Sequence, residues 1–436
     1  MENSESFPGF RRGEPEEEYL RQRSLHEALF EEEHLEPHVI EALFRSARDK
    51  LLPMIEEESR LLRTALKAIR IGLEPVDRDE SALEAPIAGL DGSINGDRLF
   101  GIYYALLSAA VVSYRRYEDP SPEVTSEALT LGFPPQEGLA LRKAGLRRAM
   151  LEAEVGLRFL REMRSPPEFL FVDGPLVPSS RLIPLDHWLS YGRVVTVGDD
   201  AEYKRLFEEY AGRRDENKVG LLLRFYNEAR RRGVTLVGVV KAPYTRYYLR
   251  EHEDELRKLG LTARELVRHG VYDRLLVEFY GYDFLERNPD KLFYTEPRPL
   301  TPRPILSFAY GLEDAGGYRA LEREDVHTLY LKTHLNGAPI RVEVFRDVAE
   351  DRGRLATIAN LLHYTGTPYP RGAWPAIYVP SPILAAHEKC TVRNPTLGLI
   401  GEDIRNRSVK AMGDLGDMIT RPTWVSWLLF RRWLRR

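Results

Sequence analysis

The sequence predicts an α/β protein in which a mixed β-sheet is flanked by helices. Three observations carry this. Short apolar runs at Pro86–Leu90, Glu168–Val172 and Val234–Val240 have the length of strands, and the second is apolar on both faces, as a central strand between helix layers is. Helix-length patterns alternate with them, above all Glu137–Met163, which Ser165-Pro-Pro167 terminates. Each apolar run also delivers a charged residue at its end: Asp91, Asp173 and Lys241.

The bulk properties bound the function. A chain of 436 residues, 43% hydrophobic and 30% charged, buries one large core or two moderate ones. A formal charge of −4 and a pI near 6.3 leave no global basic footprint, so contact with nucleic acid has to come from a local groove or a metal site. The lone cysteine, Cys390, excludes an intramolecular disulfide framework and fits a reducing compartment. The first residues carry no apolar signal region, and no apolar run is long enough to span a bilayer. The expectation is a cytoplasmic protein, without membrane contact and without tandem repeats.

Taken in order, residues 1–15 are polar and interrupted by Pro8, Gly9, Gly13 and Pro15. Two helical patterns follow, Glu17–Glu33 and a longer one in which Val39, Leu43, Leu51, Ile55, Leu62, Leu66 and Ile69 recur, with Pro53 as an expected kink. Residues 1–82 are thus expected to form a helical extension, 83–400 the main domain and 401–436 a tail rich in Trp and Arg. The extension reads either as an arm for dimerisation or a partner, or as a helical layer on its own domain.

Pro86–Gly96 predicts a strand ending at Asp91 and a glycine-rich turn, with an antiparallel partner over Leu99–Tyr114. Asp119–Gln136 reads as a loop. Beyond Asp173 come a polar helical stretch over Ala201–Arg232, the strand ending at Lys241, a helix over Glu251–His269 and a short strand at Arg274–Tyr280. Pro302–Tyr310, Val326–His334 and Ile340–Phe345 are further strand candidates, the last two joined by a hairpin at Asn336-Gly337. Arg352–His363 is helical. Tyr378-Val-Pro-Ser-Pro-Ile-Leu-Ala-Ala-His387 runs from an extended segment into a helix, with Ser381 as the expected cap and Pro382 at its first position.

An acid at a strand end beside glycine leaves its carboxylate at a rim where a substrate phosphate and a divalent cation can approach. Asp91 followed by Gly92 and Asp173 followed by Gly174 repeat that arrangement, and neighbouring strands would bring the pair together. A third acid is expected from the intervening helix. Glu154 is preferred over Glu152 because it lies about one turn from both Met150 and Leu157, nearer the apolar side. Such hard oxygen ligands suit Mn2+ or Mg2+ and phosphodiester cleavage, whereas the single cysteine and scattered histidines do not suit zinc. Lys241 is a candidate phosphate contact or a lysine snorkelling from a strand end. His387 is a candidate metal ligand, phosphate contact or proton carrier, or a structural histidine, and Tyr378 would orient it or stack on a base. The chain lacks G-x-x-x-x-G-K-[ST], a G-x-G-x-x-G in strand-to-helix context and G-x-S-x-G, which sets aside a P-loop motor, a nicotinamide enzyme and a serine hydrolase.

In this order, LDGS around Asp91, a Glu-bearing helix, LFVDGPL around Asp173, VVKAPY around Lys241 and YVPSPILAAH resemble the NurA nuclease family, over roughly Pro86 to Thr391. The resemblance implies an RNase H-like core and a manganese-dependent nuclease that degrades single- and double-stranded DNA by 5′-to-3′ exonuclease and endonuclease action. It further implies a homodimer working with a hexameric HerA-type ATPase in DNA end resection. By motif, Asp91, Glu154 and Asp173 would hold the metal, with Tyr378 and His387 supporting the site and Glu152 the alternative acid. Two rival expectations are a catalytically inert RNase H-like scaffold subunit of an ATPase complex and an RNA-directed nuclease of the same fold.

Overall fold

The computed structural model describes residues 37–99, 102–117, 119, 121–133, 137–176, 218–241, 245–299, 326–369 and 376–412. The expected helix at Glu17–Glu33, the strand at Pro302–Tyr310 and the Trp-rich end at Trp424–Arg436 lie outside them. The chain divides into two compact units, Met1–Arg70 with Arg246–Tyr272, and Ile71–Thr245 with Asp273–Arg436.

In the first unit, α1 (Pro37–Ala68) carries Leu61 and Ala65 on one stripe that continues to Ile69, and all three are buried. The single helix expected over Glu251–His269 is instead three short ones, Tyr247–Glu251, Glu253–Lys258 and Ala263–Arg268. Two local signals break it. Gly260 adopts a positive φ of 73°, and the Thr262 side chain caps the last helix by accepting from Glu265 N at 3.1 Å.

The second unit is built on a ten-stranded mixed sheet. Its centre is β2 (Ile87–Leu99), which pairs antiparallel with β3 (Ile102–Tyr114) and parallel with β5 (Phe169–Asp173). On one side β4 (Glu123–Phe133) joins β3; on the other, β6 (Thr235–Val240) runs parallel to β5. The sheet continues antiparallel through β10 (Ile340–Phe345), β9 (Val326–Leu331), β7 (Lys291–Thr295) and β1 (Leu73–Asp77), with β8 (Arg298–Pro299) also on β9.

Helices cover both faces. On one, α2 (Glu137–Glu162) and α3 (Lys218–Arg231) bury Leu151, Val155, Phe159 and Phe225 against Ala88, Leu90 and Leu170. On the other, α5 (Arg352–Tyr364) and α6 (Ser381–Cys390) bury Ile358, Leu361, Leu362 and Ile383 against Phe169, Phe171, Val237 and Val239. Both faces of β5 are therefore dry, which is why its sequence is apolar without alternation. A further helix, α7 (Asn394–Met412), packs Leu397 on Tyr104 and Leu106 of β3.

Several expectations are corrected. No turn interrupts Asp91–Gly96: β2 passes straight through, with Asp91 opposite Ala110 and pairing continuing to Leu99 opposite Ile102. The glycines serve close approach instead, because a Cβ on Gly89 would lie 2.2 Å from the Pro382 carbonyl carbon and one on Gly92 2.3 Å from Glu152 Oε1. Asp119–Gln136 is mostly the edge strand β4, whose polar residues are tolerated because, of its described side chains, only Leu129 and Leu131 pack on the core. Leu73–Asp77, read within the helical extension, is a strand. Arg274–Tyr280 lies inside α4 (Asp273–Arg287), where Leu276, Val277, Gly281 and Leu285 are buried at helical spacing. At α6 the cap position is Pro380, Ser381 is already helical, and its N–H is donated to Thr365 O at 2.9 Å rather than being replaced by a side-chain cap.

Candidate active site

The site grows from the period-two alternation of β2. Ala88 and Leu90 face α2, so Gly89 and Asp91 face α6. Gly89 lets the first turn of α6 lie against the strand, and this fixes where the next turns fall. His387 consequently comes to Asp91, with Nδ1 donating to Oδ2 at 2.7 Å. The other Asp91 oxygen, Oδ1, accepts from Gly92 N at 2.7 Å. Parallel pairing of Leu90 with Val172 places Asp173 beside Asp91 on the neighbouring strand. Asp173 Oδ2 in turn accepts from Lys241 Nζ at 3.0 Å, since Val239 pairs with Asp173 and Lys241 follows it on the same side of β6.

The electrostatics are those of crowded anions. Asp91 is only 4% exposed, and burial is the first reason its carboxyl is pushed up to about 6; the negative charge of Asp173 is the second. His387 and Lys241 pull it back down without cancelling the rise. Asp173 and Lys241 keep about a quarter of their side chains exposed, and His387 about a third, so the cluster opens to solvent on the side away from the strand.

The two candidate glutamates of α2 are placed differently. Glu152, not Glu154, is the acid that α2 sets against β2, directly beneath Gly92, where it pairs with Arg148 (Nε–Oε1 3.2 Å). Arg148 Nη1 also donates to Gly92 O at 3.4 Å. Glu154 points to Arg147, 3.1 Å away. Met150, one turn before Glu154, packs with Leu221 of α3, whereas the strand bearing Asp91 lies against Glu152.

Tyr378 is likewise elsewhere. On β12 (Ile377–Pro380) its ring stacks on His334 at 3.7 Å and 10°, and it presses on Gly337. The aromatic ring beside His387 is Tyr369, at the end of β11 (Gly366–Tyr369), 5.9 Å away at 70° and 5.6 Å from Lys241 Nζ. Nothing local marks Tyr369 in the sequence, since only its pairing with Ile377 across the small β11–β12 sheet places it.

Among the described residues no group of three or more His, Cys, Asp or Glu side chains is arranged as a metal cage. The donor chemistry at Asp91 and Asp173 nevertheless fits a hard divalent cation: two adjacent carboxylates, one of them buried, whose ionisation is opposed by burial and by the charge of the other. No helix among the described residues is long and apolar enough to cross a membrane.

The parallel strands β2, β5 and β6, with β3 and β4 antiparallel beyond β2 and helices on both faces, form an RNase H-like fold. Within that class the chain belongs to the NurA family, whose NurA domain it matches over residues 85–390. The NurA nuclease from Sulfolobus solfataricus is similar at 14% identity, over 86% of this chain and 98% of that one, with a TM-score of 0.52. A NurA structure bound to dAMP and manganese matches at 12% identity over 82% and 94% of the chains, with a TM-score of 0.43. Another NurA, with manganese, matches at 13% identity over 80% and 95%, with a TM-score of 0.41. No curated protein matches this chain.

Proposed function

We propose that this member of the NurA family is a deoxyribonuclease that uses Mn2+ or Mg2+ held by Asp91 and Asp173, with Glu152 as the third acid. The observation that carries the reading is the juxtaposition of Asp91 and Asp173 on parallel neighbours β2 and β5, in a pocket of charge where a lysine and a histidine already attend them. A divalent ion bound there would supply charge to neutralise the scissile phosphate and to acidify the attacking water.

The chain's own residues do the rest. Asp91 is at its most anionic above about pH 6, and a cation between it and Asp173 would remove the repulsion that now opposes ionisation. Lys241 presents an ammonium to an incoming phosphate from the partly open side. With Nδ1–H donated to Asp91, His387 leaves Nε2 as the nitrogen that can take a proton from the attacking water.

Family membership supports the finer reading: 5′-to-3′ exonuclease and endonuclease action on single- and double-stranded DNA, a homodimer, and cooperation with a HerA-type hexameric ATPase in DNA end processing in the cytoplasm. The manganese and dAMP of the NurA structures above point the same way for substrate and metal.

The test is cleavage of end-labelled single- and double-stranded DNA, and of an RNA of the same sequence, in Mn2+, Mg2+ or EDTA. DNA cleavage in Mn2+ that EDTA abolishes is expected. Cleavage of RNA alone would replace the substrate, and a protein silent with and without a HerA-type ATPase would point to the scaffold instead.

A further inference from the structure

We infer that Tyr369 is a stacking platform for the nucleobase adjoining the phosphate at the Asp91–Asp173 rim. This rests on the nuclease reading above. Tyr369 is the aromatic side chain that touches both attendants of the two acids: its ring lies 5.6 Å from Lys241 Nζ, which pairs with Asp173, and 5.9 Å from the His387 ring, which pairs with Asp91. It nevertheless keeps 38% of its surface exposed.

Tyr378, nine residues further along the chain, is the instructive contrast. It is packed flat on His334, with Gly337 lacking a Cβ to make room for it, and so is committed to the connection between β9 and β10. Tyr369 lies flat on no other aromatic ring among the described residues; His387 meets it at a steep angle, leaving ring surface at the mouth of the charged cluster.

The charge balance supplies the reason for such a platform. With a formal charge of −4 the chain has no general basic surface to hold a polyanion, so affinity has to come from contacts at the site. A phosphate drawn to Lys241 brings its own nucleoside against the neighbouring ring. Stacking there accepts every base, because each has a π-face. Lys241 beneath the same ring adds a cation to the stack.

The test compares wild type with Tyr369→Phe and Tyr369→Leu. Binding of a fluorescent single-stranded oligonucleotide is measured with Ca2+ in place of Mn2+, using an intact strand and strands carrying one abasic residue at successive positions from the end. Cleavage of the intact strand in Mn2+ is followed in parallel. Wild type and Tyr369→Phe should bind alike and lose affinity at one abasic position. Tyr369→Leu should bind the intact strand on the order of tenfold more weakly and be indifferent to that position. Wild-type cleavage together with Tyr369→Leu binding that matches wild type, or that stays sensitive to the abasic position, overturns the platform and leaves the nuclease reading standing. A wild type that neither binds nor cleaves overturns both.

Discussion

Two clusters of titratable and aromatic side chains in the larger unit invite comparison. In the first, Asp91, Asp173, Lys241 and His387 are charged or chargeable, paired across elements and partly open to solvent. The other cluster joins His334, His363 and Tyr378. There the His363 Nδ1–H is donated to Thr333 O at 2.8 Å and the rings lie close, His334 to His363 at 4.7 Å. Burial pushes His334 down to about 4, with the positive charges of His363, Arg78 and Lys332 acting in the same direction, and burial lowers His363 too. The second cluster is therefore neutral at physiological pH. Residue types that look alike in sequence have been put to opposite uses: unlike charges held at a rim, and uncharged rings packed as structure.

The largest effects should separate the two clusters by activity. Asp91→Asn or Asp173→Asn is expected to lower metal-dependent cleavage by on the order of 10²–10³-fold or more while the protein stays folded by circular dichroism. His387→Ala should cost on the order of 10²-fold in cleavage rate, the scale of a general acid or base. Next in size is the contrast on α2. Glu152→Gln should reduce cleavage about 10–100-fold, and Glu154→Gln should stay within about twofold of wild type. Equal losses in the two would return the metal-site role to Glu154.

Tyr378→Ala should act the other way round, lowering the melting temperature through a loss of about 1–3 kcal/mol of packing. Its cleavage rate per folded molecule should change far less than that of His387→Ala.

The smallest effect concerns pH. The folded pKa of Asp91, about 6, lies above the ordinary 3.8, so between those values the native state binds more protons than the unfolded one. Stability of the metal-free protein should then fall as pH rises through that window, and Asp91→Asn should relieve about 1–3 kcal/mol of it at pH 8, less what the His387 hydrogen bond contributed. Thermal melts at pH 5 and 8 with and without the substitution read this directly.

How much of this was legible depended on the kind of signal. Asp173 and Lys241 stand at or just past the ends of β5 and β6 because buried parallel strands are read from continuous apolar runs, whereas Asp91 lies inside β2, just past its last parallel pair with β5. Helices α2, α5 and α6 announced themselves by length and terminators. Glu152 was read only as the alternative to Glu154 because which face of α2 meets β2 depends on the glycine at residue 92, whose missing Cβ admits a carboxylate; the sequence shows the glycine, and a turn is its commoner use. Tyr369 was hidden because its position follows from pairing with Ile377 in a two-stranded sheet, a contact no local pattern encodes. The edge strand β4 looked like a loop because an edge tolerates the polar residues a loop prefers.

The measurement closest to the central claim is Mn2+ binding by isothermal titration calorimetry to wild type, Asp91→Asn and Asp173→Asn at pH 7.5. If the carboxylates of Asp91 and Asp173 hold the metal, wild type binds it and each substitution weakens binding at least about tenfold. Wild type that takes up no Mn2+, or variants that bind it as tightly as wild type does, would contradict the account.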